Sequence, residues 1–169
     1  NQIFMVKDPI KFRNEIQELM KQNAGIIREE IKLQDGLKRI LELKNEFYSK
    51  DSIIKGFKID DDNTENIVLT WQVKSSLISC EAIIRSALMR QESRGGHYRS
   101  DFPKIDDERW KVNIYCRKEG KGVSAVAAEE MVLFKYNVKE IKGPLADFLD
   151  HMSKQHTIVH LNSSNNSNN

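Results

Sequence analysis

Charge of one sign, close-spaced cysteines and long apolar runs are all missing from this chain. Lys and Arg number 27 against 25 Asp and Glu, a net charge of only +2. No global field therefore steers the protein toward nucleic acid or a membrane surface, and any anion binding must come from a local cluster. The two cysteines, Cys80 and Cys116, lie far apart without metal-ligand spacing. They read as reduced, packed thiols in a cytoplasmic protein. No apolar run approaches the roughly 18 residues that span a bilayer, so no direct membrane insertion is expected. No nucleophile–base pair, glycine-rich phosphate loop or dinucleotide fingerprint is present either, so no catalytic residue and no metal site are expected in this chain. The opening Asn1-Gln2-Ile3-Phe4-Met5 lacks a signal pattern and reads as the start of a cut piece, with Met5 as an internal start the plainer alternative.

What is present is helix. Apolar residues make up 39% and charged residues 31% of 169 residues, which suits one soluble domain with a moderate core. Asp8-Pro9 is an N-cap followed by proline at the first helical position, and Phe12, Ile16, Leu19 and Met20 follow at helical spacing up to a break at Gly25. A second helix is expected over about Arg28 to Ser49, striped by Leu33, Leu37, Ile40, Leu41 and Phe47, with Asp35-Gly36 as a weak interruption. Lys50 to Asn63 reads as a polar connector; its Asp60-Asp61-Asp62 run lacks the glycine and distal glutamate of a calcium loop. The third helix, from Thr64 or Glu65 to Gln91, carries two apolar rows. One is Val68, Trp71, Ser75, Ile78, Ala82, Arg85 and Met89; the other is Val73, Leu77, Cys80, Ile84 and Ala87.

The period then changes to two. Trp110, Val112, Ile114 and Cys116 alternate with polar residues, Lys118 to Gly122 is a turn, and Val123, Ala125 and Ala127 alternate again, which reads as a short β-hairpin. Trp71 and Trp110 are read as core and hairpin anchors. Gly143-Pro144 opens a small helix with Leu145, Phe148, Leu149 and Met152. Asn162 to Asn169 has a disordered composition. His151, His156 and His160 are read as exposed histidines, not a metal site. The expected fold is mainly α: an antiparallel three-helix bundle of spectrin-repeat type, then a loop, a hairpin and a small C-terminal helix. Its parts are 1–106 (bundle and cationic loop), 107–161 (hairpin and short helix) and 162–169 (tail).

The cationic loop Arg90-Gln91-Glu92-Ser93-Arg94-Gly95-Gly96-His97-Tyr98-Arg99-Ser100-Asp101-Phe102-Pro103 is the one dense cluster of chemistry. Gly95-Gly96 would let the backbone leave the helix at positive φ and approach a neighbour, and Pro103 stiffens the exit. Arg94 and Arg99 can each fork onto a carboxylate or phosphate, and His97 titrates near neutrality. Carboxylates among the arginines favour an internal ion-pair network of Arg90, Glu92, Arg94, Arg99 and Asp101 that locks the loop, over an open anion cradle.

Leu19-Met20, Gly25-Ile26-Ile27-Arg28, the run Ala87 to Pro103, then Asp107 and Trp110 resemble, in order and spacing, the C-terminal helical domain of one family. It is the succinate dehydrogenase/fumarate reductase flavoprotein family, which includes L-aspartate oxidase. The resemblance covers about residues 10 to 117. It implies a parent oxidoreductase that binds FAD in an N-terminal domain, closes a capping domain over a dicarboxylate, and moves hydride between the dicarboxylate and the flavin. It implies no cofactor on this chain alone, which should be inactive when isolated. Arg90, Glu92, Ser93, Arg94, His97, Tyr98, Arg99 and Asp101 become candidates for docking onto the FAD-binding and capping domains or for the site rim. Iron–sulfur and membrane-anchor subunits are implied further partners, placing the protein in the cytoplasm at the inner membrane face; no nucleic acid is implied. The alternatives are an L-aspartate oxidase domain and a stand-alone helical interaction module.

Overall fold

The structure is a computed structural model, described here for residues 4–57, 61–119, 130–138 and 143–144. The chain divides into two compact units, Asn1–Tyr136 and Asn137–Asn169. The fold is mostly helical, with four helices and three small sheets among the described residues. In order the elements are β1 (Met5–Val6), α1 (Pro9–Asn23), β2 (Ile27–Arg28), α2 (Glu30–Phe47), β3 (Ile53–Ile54), α3 (Asp61–Met89), β4 (Tyr98–Arg99), α4 (Asp107–Trp110), β5 (Val112–Glu119) and β6 (Glu130–Asn137).

α1 begins as its sequence dictates: Asp8 accepts from the Lys11 amide at 2.9 Å and Pro9 fills the first turn. It ends at Asn23, two residues before Gly25. Phe12, Ile16 and Leu19 of α1, Leu33, Ile40, Leu43 and Phe47 of α2, and Val73, Leu77, Ile84 and Ala87 of α3 form one buried core. α2 runs through Gly36 without a break. A Cβ at Gly36 would lie 2.8 Å from Asn23 Cβ and 3.5 Å from Ile84 Cδ1, so at this glycine both α1 and α3 approach α2 closely. At the N-terminus, β1 pairs antiparallel with β3, Met5 opposite Ile54 and Val6 opposite Ile53. The buried Thr70 hydroxyl fastens β1 to α3, accepting from the Val6 amide at 3.2 Å.

Several sequence readings need correction. α3 runs over Asp61–Met89, so Asp61, Asp62 and Asn63 are helical and not part of a connector. Of its two rows only the second is core; Val68 is half-exposed and Trp71 leans on Phe4 at 6.2 Å between ring centroids, near the surface. Trp110 is buried, but in the single turn α4, before β5 begins. Cys80 packs against the core, whereas Cys116 is exposed on β5, its sulfur 3.2 Å from Ser86 Oγ.

Among the described residues the strand bonded to β5 is Glu130–Asn137, while the expected strand at Val123, Ala125 and Ala127 lies outside them. The run Met131-Val132-Leu133-Phe134 is the stronger strand signal because it combines β-branched and aromatic residues. The turn Gly120–Gly122, residues Val123 to Ala127, the helix with Leu145, Phe148, Leu149 and Met152, the histidines His151, His156 and His160, and the tail from Asn162 lie outside the described residues.

By length and mean hydropathy the stretch Asn63–Met89 of α3 could cross a membrane. In this fold it is the core helix, and it carries a buried ion pair. Lys44 Nζ lies 3.0 Å from Glu81 Oε2, and Arg85 Nε lies 2.9 Å from Glu81 Oε1. Such charges at mid-helix are what a hydrocarbon environment penalises most.

Candidate functional site

The cationic loop folds back onto the end of α3 and the start of α2. Arg94 and His97 exchange two backbone hydrogen bonds of 2.8 and 2.9 Å, closing a tight turn over Gly95-Gly96. Gly95 sits at φ +56°, which an L side chain resists. Gly96 stays outside that region, and a Cβ at either would meet nothing within 4 Å, so the turn needs conformational freedom at one glycine and close approach at neither.

β4 then pairs parallel with β2, Ile27 opposite Tyr98 and Arg28 opposite Arg99. Successive side chains on a strand point to opposite faces. Arg99 therefore points inward, fully buried, while Tyr98 is exposed.

The expected ion-pair network is present, in two parts. The first centres on Glu92, whose side chain is fully buried. Its Oε1 accepts from Arg90 Nη1 at 2.6 Å and Arg94 Nε at 2.8 Å; its Oε2 accepts from Arg94 Nη2 at 3.0 Å and the Asp106 amide at 2.9 Å. Burial alone would raise the Glu92 carboxyl, but these donors outweigh it and hold the group at about 2. Arg94 also reaches Asp107, and Arg90 donates to the carbonyls of Trp110 (3.0 Å) and Val112 (2.6 Å). The network thus fastens the loop, α4 and the start of β5.

The second part centres on Arg99. Its guanidinium forks onto Asp101, Nε to Oδ1 at 2.7 Å and Nη2 to Oδ2 at 2.6 Å, and Nη1 donates to the Ala87 carbonyl at 2.7 Å. The guanidinium also stacks on Phe102, 5.0 Å from the ring centroid. Asp101, held below its usual carboxylate range chiefly by the Arg99 hydrogen bond, also accepts from the Glu30 amide at 3.0 Å. Glu29, the residue before α2, makes no side-chain cap. Asp101 supplies that cap from 71 residues away. The buried Ser93 hydroxyl completes the loop, 2.8 Å from the Phe102 carbonyl and 2.9 Å from the Arg99 amide.

His97 is the exception. Its Nδ1 lies 2.9 Å from Arg28 Nη1, and its Nε2 lies 3.4 Å from the Arg90 carbonyl. Burial, aided by the neighbouring Arg28, Arg90 and Arg99 charges and opposed by the Arg90 carbonyl bond, pushes its pKa down. It is therefore neutral at pH 7, accepting from Arg28 at Nδ1. The sequence reading placed Arg28 only in a supporting element and missed this contact. It also missed the apolar skin beside the loop: Ile26 and Ile31 are exposed by 86% and 72%, and Ile27 and Tyr98 are exposed as well. Among the described residues, no three His, Cys, Asp or Glu side chains gather as a metal site would require.

The described residues thus form a mostly helical domain whose loop is an internally paired cationic clamp, with apolar residues exposed beside it. Residues 13–142 match the model of the fumarate reductase flavoprotein C-terminal family, and the chain belongs to that family. The chain is 36% identical over 104 residues to the fumarate reductase flavoprotein subunit of Helicobacter pylori, a match covering 62% of this chain and 14% of that protein. It is 32% identical over 117 residues to the fumarate reductase flavoprotein subunit of Mycobacterium tuberculosis, covering 68% of this chain and 19% of that protein. The chain thus spans about a fifth or less of the length of these relatives. Among solved structures, Mycobacterium smegmatis Sdh1 in complex with UQ1 superposes with a TM-score of 0.68 at 27% identity, covering 82% of this chain and 22% of that one. A quinol-fumarate reductase with menaquinol molecules shares the fold at a TM-score of 0.66 and 23% identity, covering 82% of this chain and 22% of that one. These names do not favour the aspartate oxidase or stand-alone module readings.

Proposed function

We propose that this chain is the C-terminal part of an FAD-dependent enzyme that interconverts succinate and fumarate, and that its own task is to hold the parent's domains together. The family match over residues 13–142 carries this reading. Within it, the three long helices form an antiparallel, spectrin-repeat-like bundle over 1–106; the connectors 24–29 and 48–60 are short enough to turn each helix back on the last. By sequence the remainder is assigned as a hairpin and short-helix part over 107–161 and a tail over 162–169.

The described residues do not build a flavin cradle. The loop arginines that could hold a diphosphate are already committed: Arg90 and Arg94 to Glu92 and Asp107, Arg99 to Asp101. We therefore assign FAD and the catalytic residues to the parent's other domains. The same pairing refines the roles of the loop. Arg90, Glu92, Ser93, Arg94, Arg99 and Asp101 set its shape from inside. Tyr98, with Ile26, Ile27 and Ile31, meets the FAD-binding and capping domains, which would bury an apolar surface otherwise left in water. Iron–sulfur and membrane-anchor subunits would attach the parent to the inner face of the membrane, in keeping with the UQ1 and menaquinol of the solved neighbours.

The test is the mass and flavin content of the native polypeptide, captured from source cells with an antibody to this segment. A band near ~60–70 kDa with bound flavin is expected, leaving room for two further domains of ordinary size. A colourless band at the 19.6 kDa of this chain would overturn the proposal.

A further inference from the structure

Arg28 stands apart from the other arginines of this region. Arg90, Arg94 and Arg99 each contact a carboxylate. Arg28 has none within 4 Å among the described residues. Its Nε is shared between the Gly25 carbonyl at 3.0 Å and the Ala24 carbonyl at 3.4 Å, and its Nη1 meets neutral His97. Its Nη2 has no hydrogen-bond partner among the described residues. This half-buried cation lines a recess of about 420 Å³ together with His97, Arg90, Ser86, Ala82 and Ile83. The recess joins one uncompensated positive charge to an apolar wall, and Ile83 at its edge is 45% exposed. A guanidinium held by carbonyls and a neutral imidazole, with an Nη2 that no described residue engages, is suited to receive an anion from outside the chain.

We propose that this recess receives one aspartate or glutamate side chain, borne on an apolar segment of the parent polypeptide outside residues 1–169. Two observations choose that occupant. The recess needs one negative charge and offers apolar walls, which a side chain on a packed segment satisfies better than a hydrated ion. The relatives are five to seven times longer than the matched segment, so most of the parent lies outside this chain. Arg28 then acts as a specificity point: it fixes where the neighbouring domain sits, while the apolar skin at Ile26, Ile27 and Tyr98 supplies the buried area. This inference rests on the parent proposed above.

The experiment uses the full gene product with Ile83→Cys, labelled by a small maleimide and read peptide by peptide, so that Cys80 and Cys116 are scored separately. Labelling of the native protein is compared with the same protein in urea. Residue 83 is expected to react roughly tenfold or more slowly in the native protein, since the seated segment covers it; Arg28→Gln should abolish that protection and Arg28→Lys should keep most of it. Labelling of native residue 83 at the unfolded rate would overturn the inference. So would equal effects of Arg28→Gln and Arg28→Lys, which would assign Arg28 an internal role only. Protection that develops only on adding inorganic phosphate or succinate would overturn the tethered side chain in favour of a free anion. Flavin content of the same preparation separates the two proposals: flavin bound with residue 83 open removes this inference alone, and no flavin removes the parent reading.

Discussion

Two buried glutamates, Glu81 and Glu92, look alike on paper and serve different ends. Each lies between two cations: Glu81 between Lys44 and Arg85, Glu92 between Arg90 and Arg94. Among the described residues Glu81 pairs with side chains only, Lys44 across the α2–α3 seam and Arg85 one turn along α3. Glu92 also takes the Asp106 amide, and its partner Arg90 continues to the carbonyls of Trp110 and Val112. The first pair sits in a core that apolar residues could fill. The second organises a backbone that has few partners of its own. A buried ion pair is weak evidence for stability when packed hydrophobes could replace it, and strong evidence when main-chain groups depend on it.

The comparison breaks most visibly at the loop. Arg99→Met should cost about 3–5 kcal/mol by urea denaturation, because it strands Asp101 and the Ala87 carbonyl together and loosens the cap on α2. A loss below about 1 kcal/mol would mean that water replaces those bonds and the clamp is ornamental. Glu92→Gln should follow with a loss of about 2–3 kcal/mol, and its pH dependence carries the sign. The Glu92 carboxyl sits at about 2 in the fold against an ordinary 4.5. A lowered folded value stabilises above pH 4.5, and that stabilisation drains away as pH falls from 4.5 toward 2. Wild type should therefore lose about 3 kcal/mol more than Glu92→Gln over that window, so the two denaturation curves converge in acid.

These loop effects were legible in advance only in part. The alternation of signs among Arg90, Glu92, Arg94, Arg99 and Asp101 is a local property, and it points to internal pairing from the residues alone. Asp8-Pro9 fixed the start of α1 for the same reason: a cap and its helix are neighbours in sequence. Asp101 capping α2 could not be read, because the capped amide lies 71 residues away and Glu29 offers no hint of a missing partner. Arg28 looked like a minor motif residue because its loneliness shows only when every nearby carboxylate has been assigned. Trp71 and Cys116 were over-assigned to the core: periodicity locates a face but does not say which faces the rest of the chain covers.

Gly36 tests that same limit on the helical side. Helix propensity alone predicts that Gly36→Ala stabilises α2 by up to about 1 kcal/mol. The contact of 2.8 Å that a new Cβ would make with Asn23 Cβ predicts the opposite. The expected outcome is a net loss of about 1–2 kcal/mol, read as a lower urea midpoint with an unchanged slope. A gain would show that α1 can retreat without cost, and the helical core would then be more forgiving than the loop in packing as well as in charge.

The smallest effect is the sharpest test. Replacing the seam pair by Lys44→Met with Glu81→Leu removes two buried charges that hold no main-chain group, and fills their volume with apolar atoms. Arg85, whose side chain is 27% exposed, can turn outward to water when its partner is gone. The double variant should therefore lie within about 1 kcal/mol of wild type, or above it, while Glu81→Leu alone leaves Lys44 buried and unpaired and costs about 3 kcal/mol. If the double variant falls as far as Arg99→Met, the two glutamates do the same job after all. Buried charge would then be holding this fold together at the seam as much as at the loop.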